Sequence, residues 1–94
     1  MSDDRALLTG FPGFIGTRLA RRLLGDDPSL RIVALVEPRM AERARTVAAG
    51  IDPARLTVVE GDIGAPRLGL DAPTYDRLAA ETTLVHHLAA IYDL

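Results

Sequence analysis

The chain has 94 residues, of which 48% are hydrophobic and 26% charged, and its formal net charge is −2. That is the length of one small domain and the composition of a folded globular one, which excludes an intrinsically disordered tail. The weak negative charge gives no footing for nucleic acid or an anionic membrane surface, and the absence of cysteine excludes a disulfide framework or a thiolate metal site.

All eleven basic residues are arginine, and lysine, asparagine, glutamine and tryptophan are absent. Such a bias is what a GC-rich coding sequence produces. No apolar run has the length of a signal peptide's core or a membrane span, so no membrane partner is expected. A cytoplasmic location fits these features.

Taken in order, Arg5 to Thr9 contains the apolar run Ala6-Leu7-Leu8 and runs into Gly10, as buried strands do. A glycine-rich turn, Gly10 to Gly16, leads into an amphipathic helix. Ile15, Leu19 and Leu23 recur every fourth residue, with Ala20 and Leu24 alongside and Arg18, Arg21 and Arg22 opposite. Gly25 and Asp26-Asp27-Pro28 are its expected end. Ile32 to Val36 predicts the second strand, closed by Glu37-Pro38. Arg39 to Ala49 predicts a second helix with Met40, Ala44, Val47 and Ala48 on its apolar side, terminated by Gly50. Leu56 to Glu60 predicts the third strand. After a loop with Gly64, Pro66, Gly69 and Pro73, Thr74 is the expected cap of a short helix reaching about Glu81. Thr83 to Leu88 predicts the fourth strand.

The order βαβαβαβ implies an α/β fold with a parallel sheet. Right-handed crossovers place the first two helices on one face and the third on the other, with strand order 3-2-1-4. That is the N-terminal half of a doubly wound (Rossmann) sheet.

A turn from the first strand into the first helix presents free N–H groups and the positive end of a helix dipole, a seat for a diphosphate. Glycine at every third position suits that seat. Gly10 allows a sharp turn, Gly13 carries no side chain to obstruct the phosphates, and Gly16 allows close helix packing. The T-G-x-x-G-x-x-G run of Thr9, Gly10, Phe11, Pro12, Gly13, Phe14, Ile15 and Gly16 resembles the nucleotide loop of short-chain dehydrogenases/reductases. Gly61-Asp62-Ile63 is similar to that superfamily's adenine segment, and His87-Leu88-Ala89-Ala90 to the H-x-A-A of its extended members. The stretch from Gly61 to Leu70, ending Leu68-Gly69-Leu70, resembles the fatty acyl reductase and thioester reductase group. The resemblance implies NADP or NAD as cofactor and a carbonyl or acyl-thioester substrate.

It also implies roles around the cofactor. Asp62 would accept from the adenine amino group while the Ile63 backbone meets the ring edge; the plain alternative is an aspartate serving its own turn. Glu37, about twenty residues past the last glycine, is placed to hold the ribose hydroxyls and repel a 2′-phosphate. Arg39 is placed to pair with that phosphate. Both could instead be solvated, so the cofactor stays open as NADP or NAD. Leu88, Ala89 and Ala90 would let the strand end approach the nicotinamide ribose. His86 and His87 project to opposite faces and are no metal pair.

The superfamily's chemistry is similar to general acid catalysis by a tyrosine with a lysine four residues on. Tyr75 is followed by Ala79 at that spacing and Tyr92 by only two residues, so no catalytic residue is assigned. The chain reads as an incomplete Rossmann domain, 1–94, lacking the catalytic and substrate part. A nucleotide-sensing module without catalysis, or a fragment of an S-adenosylmethionine methyltransferase using Glu37 and Asp62, are the alternatives. An unpaired outer edge on the fourth strand predicts self-association, and Val33, Leu35, Val58 or Val85 are expected to be partly exposed on the thinly covered second face.

Overall fold

The computed structural model describes residues 4–87. Its four strands are β1 (Arg5–Thr9), β2 (Arg31–Val36), β3 (Leu56–Glu60) and β4 (Leu84–His87). Its three α-helices are α1 (Phe14–Asp26), α2 (Ala41–Ala49) and α3 (Ala72–Glu81). Every strand pair is parallel and the order is β3-β2-β1-β4, as the alternation of elements predicts.

Register decides which residues form the core. Leu8 lies opposite Ala34, and Ala34 opposite Val58, so the even-numbered residues of β1 to β3 share one face. Ala6, Leu8, Ile32, Ala34, Val36 and Leu56 are buried there against Ala20 and Leu24 of α1 and Ala44 and Ala48 of α2. Alanine at the contact lets each helix lie close to the sheet. The odd-numbered face carries Leu7, Val33, Leu35 and Val59, and α3 covers part of it through Leu78.

Several expectations need correction. Helix α1 does end at Asp26-Asp27, where the Asp27 N–H closes it on the Leu23 carbonyl at 3.1 Å, but Gly25 lies within it and not past its end. Its inward line is Gly16, Ala20 and Leu24; Leu19 and Leu23 flank that line, and Ile15 is exposed. The second helix begins with a separate 3₁₀ turn, Pro38–Met40, where proline's fixed φ and missing N–H suit the entry. Helix α3 starts earlier than expected because Asp71, not Thr74, caps it. Asp71 Oδ1 accepts the Thr74 N–H at 2.9 Å. Pro73 fits the first turn, where an N–H would lack an intrahelical partner anyway.

The second face also differs in part. Val58 belongs to the α1/α2 face by register, and Leu35 is buried. Val33 is half-buried, while Val85 is 63% exposed.

Candidate functional site

The C-terminal ends of β1, β2 and β3 open into one cavity of about 310 Å³. This is where open α/β sheets hold ligands, because helix N-termini and free strand ends converge there. Thr9 and the loop Gly10 to Gly13 form one wall. Leu35, Val36 and Glu37 form the second with Arg39 and Met40, and Gly61 and Ile63 the third.

The loop's shape depends on its glycines. Gly10 has a φ of 84°, a left-handed conformation that favours glycine. Its carbonyl accepts the Gly13 N–H at 2.9 Å. A Cβ on Gly13 would lie 2.7 Å from that carbonyl oxygen, and one on Gly16 2.5 Å from it. Gly13 and Gly16 are therefore required by the loop's own closure. Gly16 serves the approach of the helix to the loop, in addition to any packing on the sheet.

Helix α1 has no side-chain cap and no acid in its first turn. The first α-helical bond there runs from the Thr17 N–H to the Gly13 carbonyl at 2.8 Å. The N–H groups just before Thr17 have no intrahelical acceptor. The positive end of the dipole thus stands uncompensated at the cavity. Phe14 and Ile15 do not line the cavity; Phe14 is 74% exposed, with the Arg18 guanidinium 5.5 Å from its ring centre.

Glu37 and Arg39 both reach the rim, and they reach each other. Arg39 Nε donates to Glu37 Oε2 at 2.8 Å, with both side chains more than half exposed. Asp62 behaves differently. Its Oδ1 accepts the Gly64 N–H at 2.9 Å, and its own N–H donates to the Leu68 carbonyl at 2.7 Å. It forms a turn beside the cavity while its neighbour Ile63 lines it.

What holds this turn is a left-handed stretch. Arg67, Leu68 and Gly69 have φ values of 53°, 59° and 69°. This reversal aims the Leu68 carbonyl at Asp62, and a Cβ on Gly69 would sit 3.1 Å from the Asp62 nitrogen. Gly61 is equally confined: a Cβ there would meet Leu35 Cδ1 at 2.5 Å and the Leu68 oxygen at 2.6 Å.

The structure thus gathers Thr9, Gly10, Phe11, Pro12, Gly13, Glu37, Arg39 and Ile63 of the expected residues. Leu88, Ala89 and Ala90 lie outside the described residues. Leu35, Val36, Met40 and Gly61 are further lining residues. Their signal in the sequence is position: two end the second strand and one precedes Asp62. Among the described residues no group of three metal-ligating side chains occurs, and no helix is long and apolar enough to cross a membrane.

Comparison with known proteins decides the family. Residues 8–94 match the NAD_binding_4 family, described as "Male sterility protein". The chain belongs to this family. It is 37% identical over 96% of its length to Trichosetin synthetase PKS-NRPS1 of Gibberella fujikuroi, of which it spans 2%. Among solved structures it resembles the terminal R domain of the myxalamid PKS-NRPS pathway, with a TM-score of 0.71 and 29% identity. That match covers 89% of this chain and 24% of the other. The reductase (R) domain of a non-ribosomal peptide synthetase from Mycobacterium tuberculosis matches with a TM-score of 0.68 and 32% identity, over 89% of this chain and 23% of that one. The male-sterility family is a dinucleotide-binding one, which sets aside the methyltransferase alternative.

Proposed function

We propose that this chain is the dinucleotide-binding part of a cytoplasmic reductase that acts on acyl thioesters. The observation that carries this reading is the cavity at the open N-terminus of α1, walled by a loop that has no room for side chains at Gly13 and Gly16. The loop Gly10 to Gly13 and the N-terminus of α1 would hold the diphosphate, Glu37 and Arg39 would meet the adenosine ribose, and Ile63 would meet the adenine. Bound there, NADP or NAD supplies the hydride chemistry. The residues of this chain orient the adenosine end. The thioester substrate is carried over from the R domains that the chain resembles. It spans about a quarter of those domains, and we read 1–94 as the cofactor half of an incomplete Rossmann domain. The chain contains no lysine, so a Tyr–Lys acid must come from elsewhere, and binding rather than turnover is the measure of this site.

Fluorescence titration with NADPH and NADH tests the reading. Gly13→Val is expected to weaken binding at least tenfold, about 1.4 kcal/mol, because the added carbons collide with the Gly10 carbonyl and displace the loop. Unchanged affinity in a folded variant would remove the loop from the site. We also propose that the outer edge of β4 takes up a further strand, from a second copy or from another chain.

A further inference from the structure

At the end of the sheet remote from the glycine loop, two strands begin with arginine. Arg5 opens β1 and Arg31 opens β2, and the two are register partners. Partners on adjacent parallel strands project to the same face from positions about 4.8 Å apart. Like charges placed directly opposite in a sheet destabilise it. With Arg77 of α3 they border a second cavity, whose apolar wall includes Val33, Val59 and Leu78. Among the described residues, none of these three guanidinium groups makes an ion pair or a side-chain hydrogen bond.

The nearby acids do not neutralise them. Glu81 borders the cavity but is exposed and pairs with no described residue. Asp71 feels the charge of Arg77 without an ion pair. Asp4 Oδ1 accepts from the Thr83 hydroxyl. Arg55, the fourth arginine at this cavity, is engaged with Asp52 and with the carbonyls of Leu24, Asp27 and Leu30. A pair of in-register cations without a counter-charge is a local loss of stability that a bound anion would reverse.

We propose that this cavity binds an amphiphilic anion, a carboxylate or phosphate head among Arg5, Arg31 and Arg77 with a short apolar body against Val33, Val59 and Leu78. Its volume of about 260 Å³ holds about eight water-sized groups, the size of a six-carbon carboxylate. A five-residue strand spans about 16 Å, so this site and the cavity at the glycine loop lie at opposite ends of the sheet and can be filled together. The inference does not depend on the dinucleotide reading.

The test is an NMR titration of the chain with hexanoate, hexyl phosphate, inorganic phosphate and hexanol. Saturable shifts at Arg5, Arg31, Val33 and Arg77 are expected with the two amphiphilic anions, and they should persist in saturating NADPH. Which anion binds tighter identifies the head group. Arg31→Gln should weaken binding at least tenfold and raise the low-salt melting temperature by relieving repulsion. A merely structural arginine would lower that temperature on removal. Arg77→Gln, on the exposed side of α3, should weaken binding without disturbing the sheet. Hexanol binding as tightly as hexanoate, inorganic phosphate binding as tightly as hexyl phosphate, displacement by NADPH, or full affinity in both variants would each overturn the proposal.

Discussion

Glu37 and Arg39 meet at 2.8 Å on the rim of the cavity, and an exposed pair of this kind contributes only about 0–1 kcal/mol. A ligand can part it at little cost. NADP brings a phosphate that Glu37 repels and Arg39 attracts, whereas NAD brings a hydroxyl that a carboxylate can hold. Glu37→Ala should therefore raise the ratio of NADP to NAD affinity severalfold, and Arg39→Ala should lower it; calorimetric titration of both cofactors reads the ratio. If neither variant moves it, the pair is not part of the site. Both positions were legible because they follow the end of an apolar strand, but their mutual bond was not, since nothing in the order Glu37-Pro38-Arg39 fixes two exposed rotamers. Arg67 is a different case. Its left-handed φ of 53° costs a non-glycine residue about 1 kcal/mol, and its side chain is exposed. Arg67→Gly should recover about that amount in urea unfolding, and a lowered midpoint would show that the side chain contributes more than the backbone strain takes away. Pro66 and Gly69 mark a turn in the sequence, but they do not foretell that Arg67 and Leu68 reverse to bring a carbonyl onto Asp62.

At the scale of elements, the strands were readable because a parallel sheet covered on both faces needs continuous apolar runs, and Ala6-Leu7-Leu8 and Ile32 to Val36 are such runs. Helix starts were less readable, because several residues near one start can cap it. In α3 the competitors are Asp71 and Thr74, and Asp71 prevails by taking the Thr74 N–H while Pro73 occupies the first turn. Thr74, through its side chain and then its N–H, holds the Asp71 carboxyl below the ordinary aspartate range. The folded chain therefore favours the ionised form. Its contribution is present above the ordinary range and is lost as pH falls through the lowered value. Asp71→Ala should lower the melting temperature at pH 7, and its difference from the parent chain should shrink as the pH is taken well below 4, near which free aspartate titrates. A difference that stays constant with pH would mean that ionisation of Asp71 does not support the helix. The sequence carries a further link that its pattern does not advertise. Arg55, just before β3, joins the C-terminal carbonyls of α1 to the entry of β2 through Leu24, Asp27 and Leu30.

For the whole molecule, alternation of elements and the handedness of crossovers were sufficient for the strand order, whereas the covering of each face depends on register and on loops. Val58 turned to the α1/α2 face because it pairs with Ala34, and Leu35 was buried beneath Gly61 by the loop from Gly61 to Leu70. What stays uncovered among the described residues is β4. It pairs with β1 on one side only, and Leu84 and Val85 are 42% and 63% exposed. An apolar strand with a free row of N–H and C=O groups is a template for pairing. A groove bordered by Leu7, Leu68, Tyr75, Leu78 and Val85 runs beside it, so a partner strand would cover apolar side chains as well as backbone. Two β4 strands meeting antiparallel across a two-fold axis would satisfy both edges, and a strand from another chain would satisfy one. Light scattering should show a mass that rises with concentration toward a dimer or beyond. Val85→Lys, which places a charge on the exposed strand, should shift the chain toward monomer without lowering dinucleotide affinity. A parent chain that stays monomeric at high concentration and unfolds in one sharp transition would show that the edge is already covered and that β4 is not an interface.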